Sequence, residues 1–257
     1  MTEEKQLKEL KDVICGWEQV CRDETDKFIS ALEVSEWEKW HKEFIEDERR
    51  HKEDGHNFNV FYLLKDEFGF HVKETMHSKL LKFLLDTNSS HGQGNKFLIE
   101  FLKLLKVETN ETDIWTVTSE KGRVDILLQR EKPLSVIIVE NKSNWASDQP
   151  NQMYKYWYNQ IYIKTNKKDK EFYITNKKEY QILYLSPKGK HFEKHSISRP
   201  TDDMYRNLPS VLPLDVKTLH FNDFIKIWLD NCIIQLSDTN HRIREYILQY
   251  QMLCKSL

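Results

Sequence analysis

Apolar positions change their spacing twice along the chain. Val13, Trp17, Val20, Phe28 and Leu32 recur near the helical period, and Trp37, Trp40 and Phe44 do so again, in a charge-dense stretch without proline. This pattern predicts two amphipathic helices broken near Glu33–Ser35, an arm that packs on the rest of the chain or on a second copy of itself. The texture changes near Asp54-Gly55. A short helix is predicted from Phe58 to Leu64. A longer one runs from Glu74 to Leu85 with Leu80, Leu81, Leu84 and Leu85 on its core face, and a further one from Phe97 to Leu105 follows the turn-rich Asn88-Ser-Ser-His-Gly. Then the period shifts towards two. Ile114–Ser119, Val124–Gln129 and Ser135–Asn141 are β-branched and apolar, as strands are.

A helix from about Gln149 to Ile163 comes next, with Asp148 as its cap and Pro150 in its first turn. Tyr180–Leu185 reads as a strand ended by Ser186-Pro187, and Phe221–Leu236 and Ile243–Leu253 as closing helices. Helices, a strand run, a helix, a strand and helices again describe an α/β or α+β sandwich. The expected division is an N-terminal helical arm over residues 1–55 and a main domain over 56–257.

Composition narrows this picture. The 39 basic and 41 acidic residues of the 257-residue chain nearly cancel, leaving a net charge of −2, so any contact with a polyanion must use a local basic patch. Cys15, Cys21, Cys232 and Cys254 form no CxxC pair and no zinc spacing, and read as buried free thiols. No apolar run approaches the roughly 20 residues of a membrane helix. The charged start, MTEEKQLKELKD, has no signal-peptide core. A soluble, cytoplasmic protein without membrane contact is expected.

The chemistry concentrates in GRVDILLQREKPLSVIIVENK, residues 122–142. Two apolar strands flank a proline-containing turn. With Arg130 facing Ser135, Asp125 falls opposite Glu140. The period of two then puts Lys142 on the same side, beside Leu127 and Ile138, and Asn141 on the other. Like charges set opposite one another destabilise a sheet, and partial burial adds to that cost. A divalent cation reverses the sign. Two carboxylates with open positions suit Mg²⁺, or Mn²⁺ in its place, and Lys142 beside them can orient a water or neutralise charge. A salt-bridged cluster at a strand end is the other reading of these three residues, because E-x-K alone is common.

The aspartate beginning one strand and the E-x-K on the next resemble the PD-(D/E)XK nuclease superfamily, with Val124 in place of the proline. Gln152-Met-Tyr-Lys-Tyr156 resembles the Q-x-x-x-Y element of the exonuclease-like branch. Glu74, His77 and Ser78, followed by His91, Gly92 and Gly94, resemble the E-x-x-H-S and H-G-x-G segments of an uncharacterised bacterial branch. The resemblance runs from about Phe58 to the C-terminus. It implies a restriction-endonuclease-like central mixed sheet flanked by helices, and phosphodiester hydrolysis. It also implies that Glu74 joins Asp125 and Glu140 at the metal, and that Gln152 and Tyr156 support a metal-bound water or a phosphate.

His77 reads as a packed histidine and His91 as a turn former. Glu120 reads as a solvated strand end or a metal neighbour, and Gln149 as a first-turn polar residue. Trp145 suits either a base-stacking surface or a core anchor. Lys155 follows Gln152 on its helix, and Lys164, Lys167 and Lys168 belong to the most lysine-rich stretch; these four are the candidate contacts to a nucleic-acid backbone. The function expected is Mg²⁺-dependent cleavage of nucleic acid, DNA first. The alternative is an inactive nuclease-fold module that binds nucleic acid or protein, and hydrolysis of another phosphate ester is a third reading.

Overall fold

The computed structural model describes residues 3–31, 34–56 and 58–257. These divide into two compact units, Met1–Phe58 and Asn59–Leu257. The first holds the helices α1 (Glu3–Ala31) and α2 (Val34–Glu53). Trp17, Trp37, Trp40 and Phe44 all stay largely exposed, so the apolar stripe read from the sequence is real but uncovered. Residues 32 and 33, where the break was expected to begin, lie outside the described residues, as do the side chains of Phe28 and Leu32. Cys232 and Cys254 are buried free thiols as expected, whereas Cys15 and Cys21 are exposed on α1. A charge-rich helix with only a narrow apolar stripe has no core in which to bury them.

The second unit is a five-stranded mixed sheet between helices, ordered β1 (Trp115–Lys121), β2 (Val124–Glu131), β3 (Leu134–Asn141), β4 (Tyr180–Ser186), β5 (Val216–His220). β1, β2 and β3 are antiparallel neighbours, and β4 and β5 continue in parallel with β3. The expected restriction-endonuclease-like architecture is thus present. Arg130 pairs with Ser135, the register that the apolar alternation requires. The central strands read as unbroken apolar runs because both faces are covered.

On one face, Ile126, Leu128, Ile137, Val139, Leu183 and Leu185 pack against α4 (Glu74–Leu85), α5 (Lys96–Leu104), α9 (Lys226–Ile234) and α10 (His241–Lys255). On the other, Leu127, Val136, Ile138, Ile182 and Tyr184 pack against Met153, Tyr154, Trp157 and Ile161. These four belong to α6 (Gln152–Tyr156) and the π-helical turn Trp157–Tyr162 that extends it into α7 (Ile163–Thr165). α3 (Val60–Phe68) starts at an Asn59 cap and closes on Gly69 in the left-handed region.

Three details depart from the sequence reading. Val216–His220 is a fifth strand, and α8 (Lys170–Thr175) forms inside the lysine-rich stretch. The helix expected from Gln149 begins instead at Gln152, behind a left-handed Asn151. Asp148 is therefore no cap; its carboxylate turns inward. Among the described residues no helix is long and apolar enough to cross a membrane.

Candidate active site

Asp125 and Glu140 are brought together by the ladder itself. One step beyond the Ile126–Val139 pair, the register sets Asp125 against Glu140, on the face that carries Leu127 and Ile138. The neighbouring ladder, with Ser119 against Ile126 and Lys121 against Val124, brings Glu120 beside Asp125. Gly122 and Arg123 join those strands with φ of 65° and 66°, a two-residue connection that favours glycine. Three carboxylates thus form a row near the strand ends, where the sheet opens into a cavity of about 730 Å³.

That cavity also receives Glu74, Lys142, Gln152, Lys155 and Tyr156. Glu74 arrives from the first turn of α4, and its position has an identifiable cause. Asn141, pointing to the opposite face from Glu140, donates through Nδ2 to the Glu74 carbonyl (2.8 Å) and to Ser78 Oγ (3.0 Å). The Asn144 amide donates to Glu74 Oε1 (3.2 Å). The sequence indicated Asn141 only as the residue facing away; that it ties α4 to the site strand had no local signal. Asn141→Ala removes both of these hydrogen bonds and leaves Ser78 Oγ only its bond to the Glu74 carbonyl, an expected loss of about 1–3 kcal/mol in denaturant unfolding.

The electrostatics are those of a crowded acidic site. Asp125 Oδ2 accepts from the Asn141 amide (2.6 Å), yet burial, reinforced by the charge of Glu140, pushes its pKa up to about 8. Burial also raises Glu140, against the pull of Lys142, whose Nζ is 2.8 Å from Glu140 Oε1. Burial works against the Lys142 ammonium, but Glu140, Glu74 and Asp148 together outweigh it and the pKa rises. Lys142 Nζ also donates to Gln152 Oε1 (3.4 Å), and Gln152 Nε2 donates to the Tyr156 hydroxyl (2.8 Å). Burial, with the charges of Glu140 and Asp125, holds the Tyr156 phenol far above its ordinary value. Tyr156 is therefore a neutral hydroxyl.

Glu140 is 1% exposed and its Oε2 has no hydrogen-bond partner among the described residues. A buried carboxylate oxygen left open in this way is costly unless something cationic meets it. No group of three or more His, Cys, Asp and Glu side chains is gathered closely enough to form a complete metal cage among the described residues. The donor set is instead two acidic oxygens with room for water. That suits Mg²⁺ or Mn²⁺, which keep part of their hydration shell, and does not suit zinc.

A model of the PD-(D/E)XK nuclease superfamily matches residues 58–252. The chain belongs to that superfamily. The match covers the sheet and both helical layers, and the cavity of this PD-(D/E)XK protein lies wholly within it. No curated protein and no solved structure matches the chain.

Other expected residues separate clearly. His77 is 1% exposed, with Nδ1 3.2 Å from the Tyr250 hydroxyl, and burial lowers its pKa to about 4; it is a packed, neutral histidine. His91 shapes its turn, accepting from the Gln93 amide at Nδ1 and donating through Nε2 to the Asp86 carbonyl. Glu120 and Gln149 line the cavity. Trp145 is 56% exposed and so is no core anchor. Lys164, Lys167 and Lys168 do not line the cavity; Lys168 Nζ donates to the Asn207 carbonyl and Lys167 lies over the Phe172 ring. Arg123 and Asn159 are among the cavity residues that sequence reasoning missed. Gly122-Arg123 between strands was a readable turn signal for the first; Asn159 had none.

Proposed function

We propose that this PD-(D/E)XK protein is a Mg²⁺-dependent nuclease acting on DNA, with Mn²⁺ able to replace Mg²⁺. The observation that carries the reading is the open, buried Glu140 oxygen beside Asp125 and Lys142 in a solvent-connected cavity. Asp125 and Glu140 hold the cation, and Glu74 joins them from α4. A bound divalent cation supplies a water of lowered pKa and offsets charge on the phosphate. Lys142 orients the attacking water and neutralises charge developing on phosphate oxygens. Gln152 fixes Lys142 from one side, and the neutral Tyr156 hydroxyl donates a hydrogen bond within the site. Lys155 at the cavity wall meets the strand being cut, while Lys164, Lys167 and Lys168, outside the cavity, contact backbone phosphates.

The test is cleavage of single-stranded DNA, duplex DNA and RNA in Mg²⁺, in Mn²⁺ and in EDTA. DNA cleavage that needs the metal and disappears in Asp125→Ala is expected. Cleavage that persists in EDTA or survives Asp125→Ala overturns the assignment. In the same assay Lys155→Ala raises KM more than it lowers kcat and makes binding less salt-dependent by about one phosphate contact.

A further inference from the structure

Asp148 does something its sequence position does not suggest. It lies in the loop between β3 and α6, yet only 7% of it is exposed. Tyr184 donates its hydroxyl to Asp148 Oδ1 (3.0 Å), and the Glu193 amide donates to Oδ2 (2.7 Å). His195 Nε2 donates to the Asp148 carbonyl (3.0 Å), so main chain and side chain are both fixed. Tyr184 is the β4 neighbour of Glu140 in the parallel ladder. The sheet that presents Glu140 therefore also places the hydroxyl that aims Asp148.

The result is a second carboxylate at Lys142. Asp148 Oδ1 forms an ion pair with Lys142 Nζ at 3.9 Å, while Glu140 Oε1 (2.8 Å) and Gln152 Oε1 (3.4 Å) lie within hydrogen-bond reach of it. The ammonium thus donates to two oxygens and is held by the charge of a third group, Asp148. Their duties differ. Glu140 must serve a cation as well as Lys142, whereas Asp148 is walled off by Tyr184 and the Glu193 amide.

We propose that Asp148 is a positioning residue for Lys142, the anionic partner that keeps the ammonium in place when Glu140 is engaged by the metal. The proposal rests on the nuclease reading for its catalytic consequence, but the hold on Lys142 is a property of the fold alone. Two measurements separate the two.

The first is steady-state cleavage of a DNA oligonucleotide in Mg²⁺ by wild type, Asp148→Asn, Tyr184→Phe, Lys142→Ala and Asp148→Asn/Lys142→Ala. Asp148→Asn lowers kcat by about 10- to 100-fold, the usual cost of losing a residue that orients a site group, and leaves KM within about twofold. Added to Lys142→Ala it causes no further loss, because its effect passes through Lys142. Tyr184→Phe gives a smaller loss of kcat in the same direction. An undiminished kcat in Asp148→Asn overturns the proposal, and so does an equal loss with Lys142 already absent.

The second is the NMR signal of ¹³Cε-labelled Lys142, assigned by its absence in Lys142→Ala and recorded with and without Mg²⁺. In wild type it is that of a restrained side chain under both conditions; in Asp148→Asn it becomes mobile when Mg²⁺ is present. An equally restrained signal in the variant contradicts the proposal. If wild type cleaves no substrate, the nuclease reading fails and this signal alone still decides what Asp148 does. If Asp148→Asn melts too low to assay, Tyr184→Phe carries both comparisons, and no change in either overturns the proposal.

Discussion

Replacing Lys142 by alanine will lower the rate of DNA cleavage by at least about 100-fold, with substrate binding largely retained. Among the described residues Lys142 is the buried cation of the site, and it contacts Glu140 directly at 2.8 Å. Its stem is fixed at the end of β3, so no neighbouring lysine can take its place; Lys155 reaches the cavity from an exposed helical position. A second consequence follows from burial. Removing one partner of a buried ion pair leaves the other uncompensated and typically costs about 3–5 kcal/mol. Metal-free Lys142→Ala should therefore melt well below wild type, and saturating Mg²⁺ should recover part of the loss by supplying a cation to Glu140. Single-turnover cleavage and thermal melts with and without Mg²⁺ check both halves. A variant with near-normal cleavage would remove Lys142 from the chemistry.

The second large effect concerns stability and pH without metal. Asp125 has its pKa pushed up to about 8 in the folded protein, first by burial and then by Glu140, from its ordinary value of 3.8. Below that lower value both folded and unfolded chains hold the proton and there is no penalty. As pH rises towards 8, the unfolded chain releases a proton that the folded one retains, so this contribution falls with rising pH. Its full size above pH 8 is on the order of 5 kcal/mol. Asp125→Asn keeps an acceptor for the Asn141 amide and has nothing to titrate. In EDTA the variant should gain on wild type steadily between pH 5 and 8.5 in denaturant unfolding. Millimolar Mg²⁺ should narrow the gap, because only wild type binds it well; at 100 times Kd the gain is about 2.7 kcal/mol. A difference between the two proteins that does not vary with pH would contradict this account of the carboxylate row.

Much of this arrangement was readable because one apolar alternation fixes one register. Once Leu127 and Ile138 must face the core together, Asp125 has to meet Glu140, and Lys142 has to share their face. The same logic could not reach Glu74. No local pattern says which face of a helix meets a strand 66 residues later; only family resemblance indicated it, and Asn141 supplies the tie. β5 escaped because Val-Lys-Thr-Leu-His is half-buried throughout and carries no clear alternation. α8 was hidden by lysines that suit a solvated loop equally well. Asp148 shows how a correct propensity can mislead. An aspartate directly before Gln149-Pro150 reads as a cap, but Asn151 in the left-handed region starts the helix late and frees Asp148 for Tyr184 and Lys142.

The central claim is that Asp125 and Glu140 form one cation site beside Lys142. Anomalous diffraction from crystals soaked in Mn²⁺ tests it most directly. A peak is expected in the cavity within bonding distance of one oxygen from each carboxylate, with Glu140 Oε2 among the ligands, and it should be lost in Asp125→Asn. Crystals that show no peak there at millimolar Mn²⁺, or a peak confined to other acidic residues, would contradict it.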